Sequence, residues 1–144
     1  MILELRNVAS LTEARYAAGE GFTHIRLHNS ILEKNDILLI EGIKSFLSGL
    51  SIGCNKEVAH LTFGVQLDFI ALQESDLAIL RYTLSDIHLE VHIIESLGDY
   101  EQLDKLFTIM GISLPAPGEE ETGILNDYTL IDTILEDLRN RGLC

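Results

Sequence analysis

From Leu3 to His28 the chain reads strand, turn, helix, strand, LELRNVASLTEARYAAGEGFTHIRLH, and no other stretch narrows the fold as far. Ser10 and Glu13 fit the S-x-x-E capping box, in which a hydroxyl and a carboxylate satisfy the first free N–H groups of a helix. Gly19 and Gly21 end that helix, and Thr23–Leu27 supplies the second strand. A strand that returns through a helix to another strand is a βα unit, and such units build parallel sheets.

The alternation continues. Asn35 or Asp36 caps a helix with Ile37, Ile40, Ile43 and Leu47 on one face. Leu50–Cys54 is a third strand, followed by a short helix through Val58, Leu61, Thr62 and Val65. Phe69–Leu72 is a fourth strand, and Leu77, Leu80 and Leu84 form the stripe of the next helix. His88–Ile94 is a fifth strand, and Tyr100, Leu103, Phe107 and Met110 mark a helix that Gly111 stops. Ile112–Leu114 is a sixth strand. After a loop at Pro115, Pro117 and Gly118, Asn126 or Asp127 opens a last helix with Ile131, Ile134, Leu135 and Leu138 inward. Six strand–helix units and no linker predict one α/β domain over residues 1–144.

Strand faces alternate. Glu4 and Arg6 share one face, opposite Leu3 and Leu5; His24, Arg26 and His28 oppose Ile25 and Leu27. Ala71 and Gln73 oppose Ile70 and Leu72, and His88, Glu90 and His92 oppose Leu89, Val91 and Ile93. A doubly wound sheet needs two apolar faces. One apolar and one polar face instead predict a parallel (βα)6 partial or distorted TIM-like barrel, with helices on its outer face and a polar concave face. That face is read as a hydrated groove or as a paired network of Glu4, Arg6, Arg26 and Glu90. Arg6, Arg26, His28, Gln73 and His92 fall toward the C-terminal strand ends, where such folds bind ligands, and could hold a small carboxylate or phosphate. His88-x-Glu90-x-His92 has no third strong ligand by spacing, so no metal site and no cofactor are expected. Six strands can leave two sheet edges open, Ile2–Arg6 being one; they predict a smaller, distorted closed barrel, an open half-barrel covered by loops or, in preference, a homodimer that covers the edges.

A net charge of -13 argues against nucleic acid and anionic membrane as partners. Cys54 and Cys144 have neither metal nor redox spacing; Cys54 reads as a buried free thiol. MILELRN lacks a signal-peptide pattern and no apolar run is long enough to span a membrane, so a cytoplasmic location is expected.

The opening stretch, together with LSIGCN (Leu50–Asn55), LDFIALQESD (Leu67–Asp76) and ETGILNDYTL (Glu121–Leu130), resembles phosphoribosylanthranilate isomerases, barrel enzymes of tryptophan biosynthesis. The four segments occur in the family's order. The departures concern its chemistry. Arg6 stands where the family has its catalytic cysteine, and the position of the catalytic aspartate falls near Ala116. A guanidinium takes no proton at neutral pH and alanine has none to give, so the acid–base pair is lost and no catalytic residue is carried over. A chain of six units also lacks the phosphate-binding loops after strands seven and eight, and Glu119–Glu121 would repel an anion there. The resemblance thus implies a C-terminally truncated, non-catalytic relative: a small-anion-binding or assembly module. The alternatives are an enzyme of altered chemistry on a phosphorylated or carboxylated metabolite, and a subunit of a complex that supplies the missing strands.

Overall fold

The computed structural model describes residues 1–62, 65–73, 79–84, 87–101, 111–118 and 128–143. In chain order they form β1 (Ile2–Val8), α1 (Leu11–Gly19), β2 (His24–Leu27), α2 (Asn29–Glu33), α3 (Ile37–Phe46), β3 (Ser51–Asn55), a 3₁₀ turn (Lys56–Leu61), β4 (Phe69–Gln73), β5 (Ile79–Leu84), β6 (Ile87–Ile93), α4 (Leu97–Glu101), β7 (Gly111–Pro115) and α5 (Thr129–Asn140).

The seven strands close into a barrel in sequence order. β1 to β4 are parallel neighbours, β5 runs antiparallel between β4 and β6, and β6–β7–β1 is parallel again. This mixed, closed, seven-stranded barrel overturns the expected parallel (βα)6 TIM-like barrel with outer helices, open or partial. The decisive segment is the expected helix through Leu77, Leu80 and Leu84. Residues 79–84 instead alternate, with Leu80 and Tyr82 buried and Arg81 and Thr83 exposed. That is the strand period of two, and Tyr82 and Thr83 are strand-favouring residues. The leucine spacing matched a helical turn by coincidence; Leu77 lies outside the described residues. The extra strand completes the closed barrel between β4 and β6. β1, expected as an open edge, pairs with β2 on one side and with β7 from Ile2↔Gly111 to Arg6↔Pro115 on the other. The edge that motivated a dimer is therefore covered within the chain.

Two apolar layers result. Leu3, Leu5, Ile25, Leu27, Ile52, Ile112 and Leu114 face outward and join Ala14 and Ala17 of α1, Ile40 and Ile43 of α3, and Ile131, Ile134, Leu135 and Leu138 of α5. The second cluster, Ile2, Phe69, Ala71, Leu80, Tyr82, Val91 and Ile93, fills part of the lumen. Two glycines make room for it. A Cβ at Gly53 would enter the ring of Phe69, and one at Gly111 would lie 2.6 Å from the Ile2 carbonyl oxygen.

The uniformly polar concave face is also corrected. On β6 the inward residues are Val91 and Ile93, and Glu90 is exposed. Glu90 pairs with Arg81 of the neighbouring strand at 3.7 Å, so it belongs to a surface ion pair and not to the interior network. An antiparallel hairpin tolerates water on one face, which is why this segment alternates cleanly. On β1 and β2 the same alternation has the opposite sense, with polar residues inward and helices covering the apolar side.

Elsewhere the first three strands and two helix starts agree with expectation, whereas α2 has no counterpart in it and the short helix expected through Val58 to Val65 is a 3₁₀ turn ending at Leu61. Ser10 caps α1, accepting from the Glu13 N–H at 3.2 Å, and Asp36 caps α3, accepting from the Leu39 N–H at 3.2 Å. The expected helix through Leu103, Phe107 and Met110, the acidic run Glu119–Glu121 and the start of the last helix at Asn126 or Asp127 lie outside the described residues.

Candidate functional site

β1 carries the residues that build the site. Between Leu5 and Val8 it spends three steps where β2 spends two, Ile25 to Leu27, so β1 bulges. The extra residue is Asn7, with φ of 60°, a left-handed conformation that asparagine tolerates better than most side chains. The bulge returns Val8 to the outer apolar layer while Glu4 and Arg6 stay inward.

In the lumen Glu4, Arg6, Arg26 and Ser113 are all buried. The Ser113 hydroxyl donates to Glu4 Oε1 at 2.5 Å, and Arg26 Nη2 pairs with the same oxygen at 3.4 Å. Arg26 Nη1 donates to Asn55 Oδ1 at 3.0 Å, and Asn55 Nδ2 donates to Asn29 Oδ1 at 2.7 Å. Arg6 Nη1 donates to the Ser113 carbonyl at 2.6 Å, and Nη2 to the Ile94 carbonyl at 3.2 Å. The remaining charge partner of Arg6 is Glu95, at 3.6 Å, with a side chain 74% exposed.

Burial governs the protonation of this cluster. Loss of water pushes the Glu4 carboxyl up, against the pull of Arg26, the Ser113 hydroxyl and Arg6. Burial, then repulsion from Arg26, lowers Arg6 to about 10, so it remains a cation at neutral pH. Arg26 is lowered chiefly by burial, with Glu4 opposing.

Above the cluster, at the C-terminal ends of the parallel strands, lies a cavity of about 360 Å³ lined by Asn7, Ala9, Ser10, His28, Ser30, Ala116 and Gly118. Three connections build its wall: the turn from β1 to α1, the turn from β2 to α2, and the segment after β7. Glu13 ties two of them together. It is fully buried; its Oε1 accepts from the Ala9 N–H at 3.0 Å and its Oε2 from the Gly118 N–H at 3.2 Å. The α1 N-terminus is thus occupied by the chain's own carboxylate. His28 caps α2, with Nδ1 accepting from the Ser30 N–H at 3.1 Å and lying 2.8 Å from the Ser30 hydroxyl.

Of the residues expected to bind, Arg6 and Arg26 meet in the lumen and His28 stands at its mouth. Gln73 is exposed at the end of β4. His92 is half-buried and pairs in register with Ile112, an outward residue, so it does not join the arginines. Sequence reasoning missed Ser113, Asn55, Asn7 and Glu95. Ser113 had a signal, as the lone polar residue of GISL on the same strand parity as a lumen position; Asn55 and Glu95 had none without the register. Among the described residues no three His, Cys, Asp or Glu side chains gather as a metal site, and no helix is long and apolar enough to cross a membrane.

Fold and site together define a closed mixed barrel with a charged lumen beneath a polar mouth. No family model matches the chain, nor does any curated protein or solved structure, so the resemblance to phosphoribosylanthranilate isomerases has no counterpart in these comparisons.

Proposed function

We propose that the chain is a binding module for a small phosphate- or carboxylate-bearing molecule, held at the barrel mouth over the Arg6–Arg26 pair. The observation that supports it is a charge imbalance: two buried guanidiniums share one buried carboxylate, Glu4. The second counter-ion of Arg6 is the exposed Glu95 at 3.6 Å. Exposed ion pairs of that kind contribute about 0–1 kcal/mol, so a ligand anion can take the place of Glu95. The cavity at the C-terminal strand ends offers the Ser10 and Ser30 hydroxyls and the Asn7 amide as neutral hydrogen-bonding groups. The net charge of -13 opposes the approach of an anion over long range. Salt screens that repulsion more than it screens the partly buried Arg6 contact, so binding weakens less with salt than at an exposed cationic patch.

The test is a titration with inorganic phosphate and, separately, acetate, read by amide chemical shifts in the chain and in Glu95→Gln. Saturable shifts at Asn7, Ser30 and Gly118, tightened by Glu95→Gln, are expected. No saturable shift in either protein, or equal affinity in both, would overturn the reading.

A further inference from the structure

Among the described residues, three buried polar atoms of the lumen have no hydrogen-bond partner: Glu4 Oε2, Arg26 Nε and Tyr82 Oη. Their side chains come from lumen-facing positions of three strands, β1, β2 and β5. Glu4 is the register neighbour of His24, whose ring centroid lies 6.1 Å from that of Tyr82. Tyr82 stacks on Phe69 at 4.6 Å, and the Phe69 ring lies over Gly53, the register neighbour of Arg26. Glu4 and Tyr82 are fully buried and Arg26 is 4% exposed.

The unmet groups define what can satisfy them. Glu4 Oε2 accepts, Arg26 Nε–H donates, and the Tyr82 hydroxyl does either. A cation would meet two guanidiniums, Arg6 and Arg26. An anion would meet the Glu4 carboxylate at contact distance. The guest must therefore be neutral and able to donate and accept at once. It must also be small, because Phe69, Leu80, Val91 and Ile93 occupy the same lumen. Buried water makes about three hydrogen bonds to groups that are otherwise unsatisfied, and three groups are offered here.

We infer that the barrel lumen is an internal hydration site, in which ordered water bridges Glu4, Arg26 and Tyr82. The site is separate from the mouth and does not depend on the anion reading. It makes the Tyr82 hydroxyl a structural anchor between the charged groups of the lumen and the apolar cluster of Phe69, Leu80, Val91 and Ile93.

Two measurements test it. In the wild-type chain, magnetic relaxation dispersion of solvent ¹⁷O detects long-lived water, and water-to-protein Overhauser effects reach the Tyr82 ring protons. In Tyr82→Phe the dispersion amplitude falls and the thermal midpoint drops. Absence of long-lived water in the wild type, or of its contact with the Tyr82 ring, overturns the inference without any variant. So does a Tyr82→Phe protein that keeps the full amplitude, or that melts at or above the wild-type midpoint, since removing an unsatisfied hydroxyl is neutral or favourable.

Discussion

Replacing Glu13 with alanine should cost more stability than any exposed substitution in the chain. The carboxylate is fully buried and accepts from the Ala9 N–H at 3.0 Å and the Gly118 N–H at 3.2 Å. Without it, both N–H groups lose their acceptor. Each such loss costs about 1–3 kcal/mol, and alanine's better helix propensity returns a few tenths, so about 3 kcal/mol is expected for Glu13→Ala. For a chain of this size that lowers the thermal midpoint by about 6–12 °C. Glu13→Gln keeps one carbonyl oxygen as acceptor, loses the other, and should cost about 1 kcal/mol. Urea unfolding followed by circular dichroism gives the free energies, with Glu41→Ala, exposed on α3, as control. Amide hydrogen exchange adds a local signature, in which Ala9 and Gly118 lose protection together in Glu13→Ala although they lie far apart in sequence. The reasoning is refuted if Glu13→Ala stays within about 0.5 kcal/mol of the wild type, the range of ordinary surface changes, or if Glu13→Gln is as costly as Glu13→Ala.

Gly53→Ala should destabilise by about 1–3 kcal/mol, because its Cβ would enter the Phe69 ring; Gly53→Ala combined with Phe69→Leu should recover part of that loss, and strict additivity of the two costs would argue against the contact. Burial raises the folded-state pKa of Glu4 above its ordinary 4.5, so the fold binds this proton more tightly than the unfolded chain does. Its contribution is complete below 4.5 and is lost as pH rises through the folded-state value, so urea midpoints from about pH 4 to about pH 8 should show a decline that Glu4→Gln removes; identical slopes would sink the assignment. The Cys54 thiol, buried and pushed up to about 11, should react with a thiol reagent only as fast as the protein opens; in Cys144→Ser, labelling of the folded chain at the rate of an exposed thiol would contradict its placement.

The helices α1, α3 and α5 were legible because their local signals are strong and independent. Ser10-x-x-Glu13 and Asp36 fix two helix starts by side-chain hydrogen bonds, and apolar spacing names Ile40, Ile43, Ile131, Ile134, Leu135 and Leu138 as buried. The segment between β4 and β6 misled for a physical reason. A leucine at every third or fourth position satisfies a helical stripe, but Leu80 is also an inward residue of a strand, and only pairing with β4 and β6 decides between them. That one strand changes the count from six to seven and an all-parallel sheet into a mixed, closed barrel.

The strand assignment also governs the site. One parallel sheet with a single concave side would set His92, Glu90 and Gln73 beside Arg6. The antiparallel β5–β6 hairpin leaves its outer face to water, so polar alternation there marks solvent, whereas on β1 and β2, covered outside by helices, it marks the lumen; Gln73 has lumen parity but lies exposed at the end of β4. Burial confirms the division: Glu4, Arg6 and Arg26 are enclosed while Glu90 is exposed. A charged residue on a helix-covered strand must either unfold that strand or find partners inside the barrel. Arg6 finds Ser113, Ile94 and Glu95, and Arg26 finds Glu4 and Asn55. Which charged side chains enter the lumen is therefore a consequence of which strands the helices cover. It ties any ligand chemistry at the mouth to the arrangement of the outer layer, beyond the identity of the lining residues.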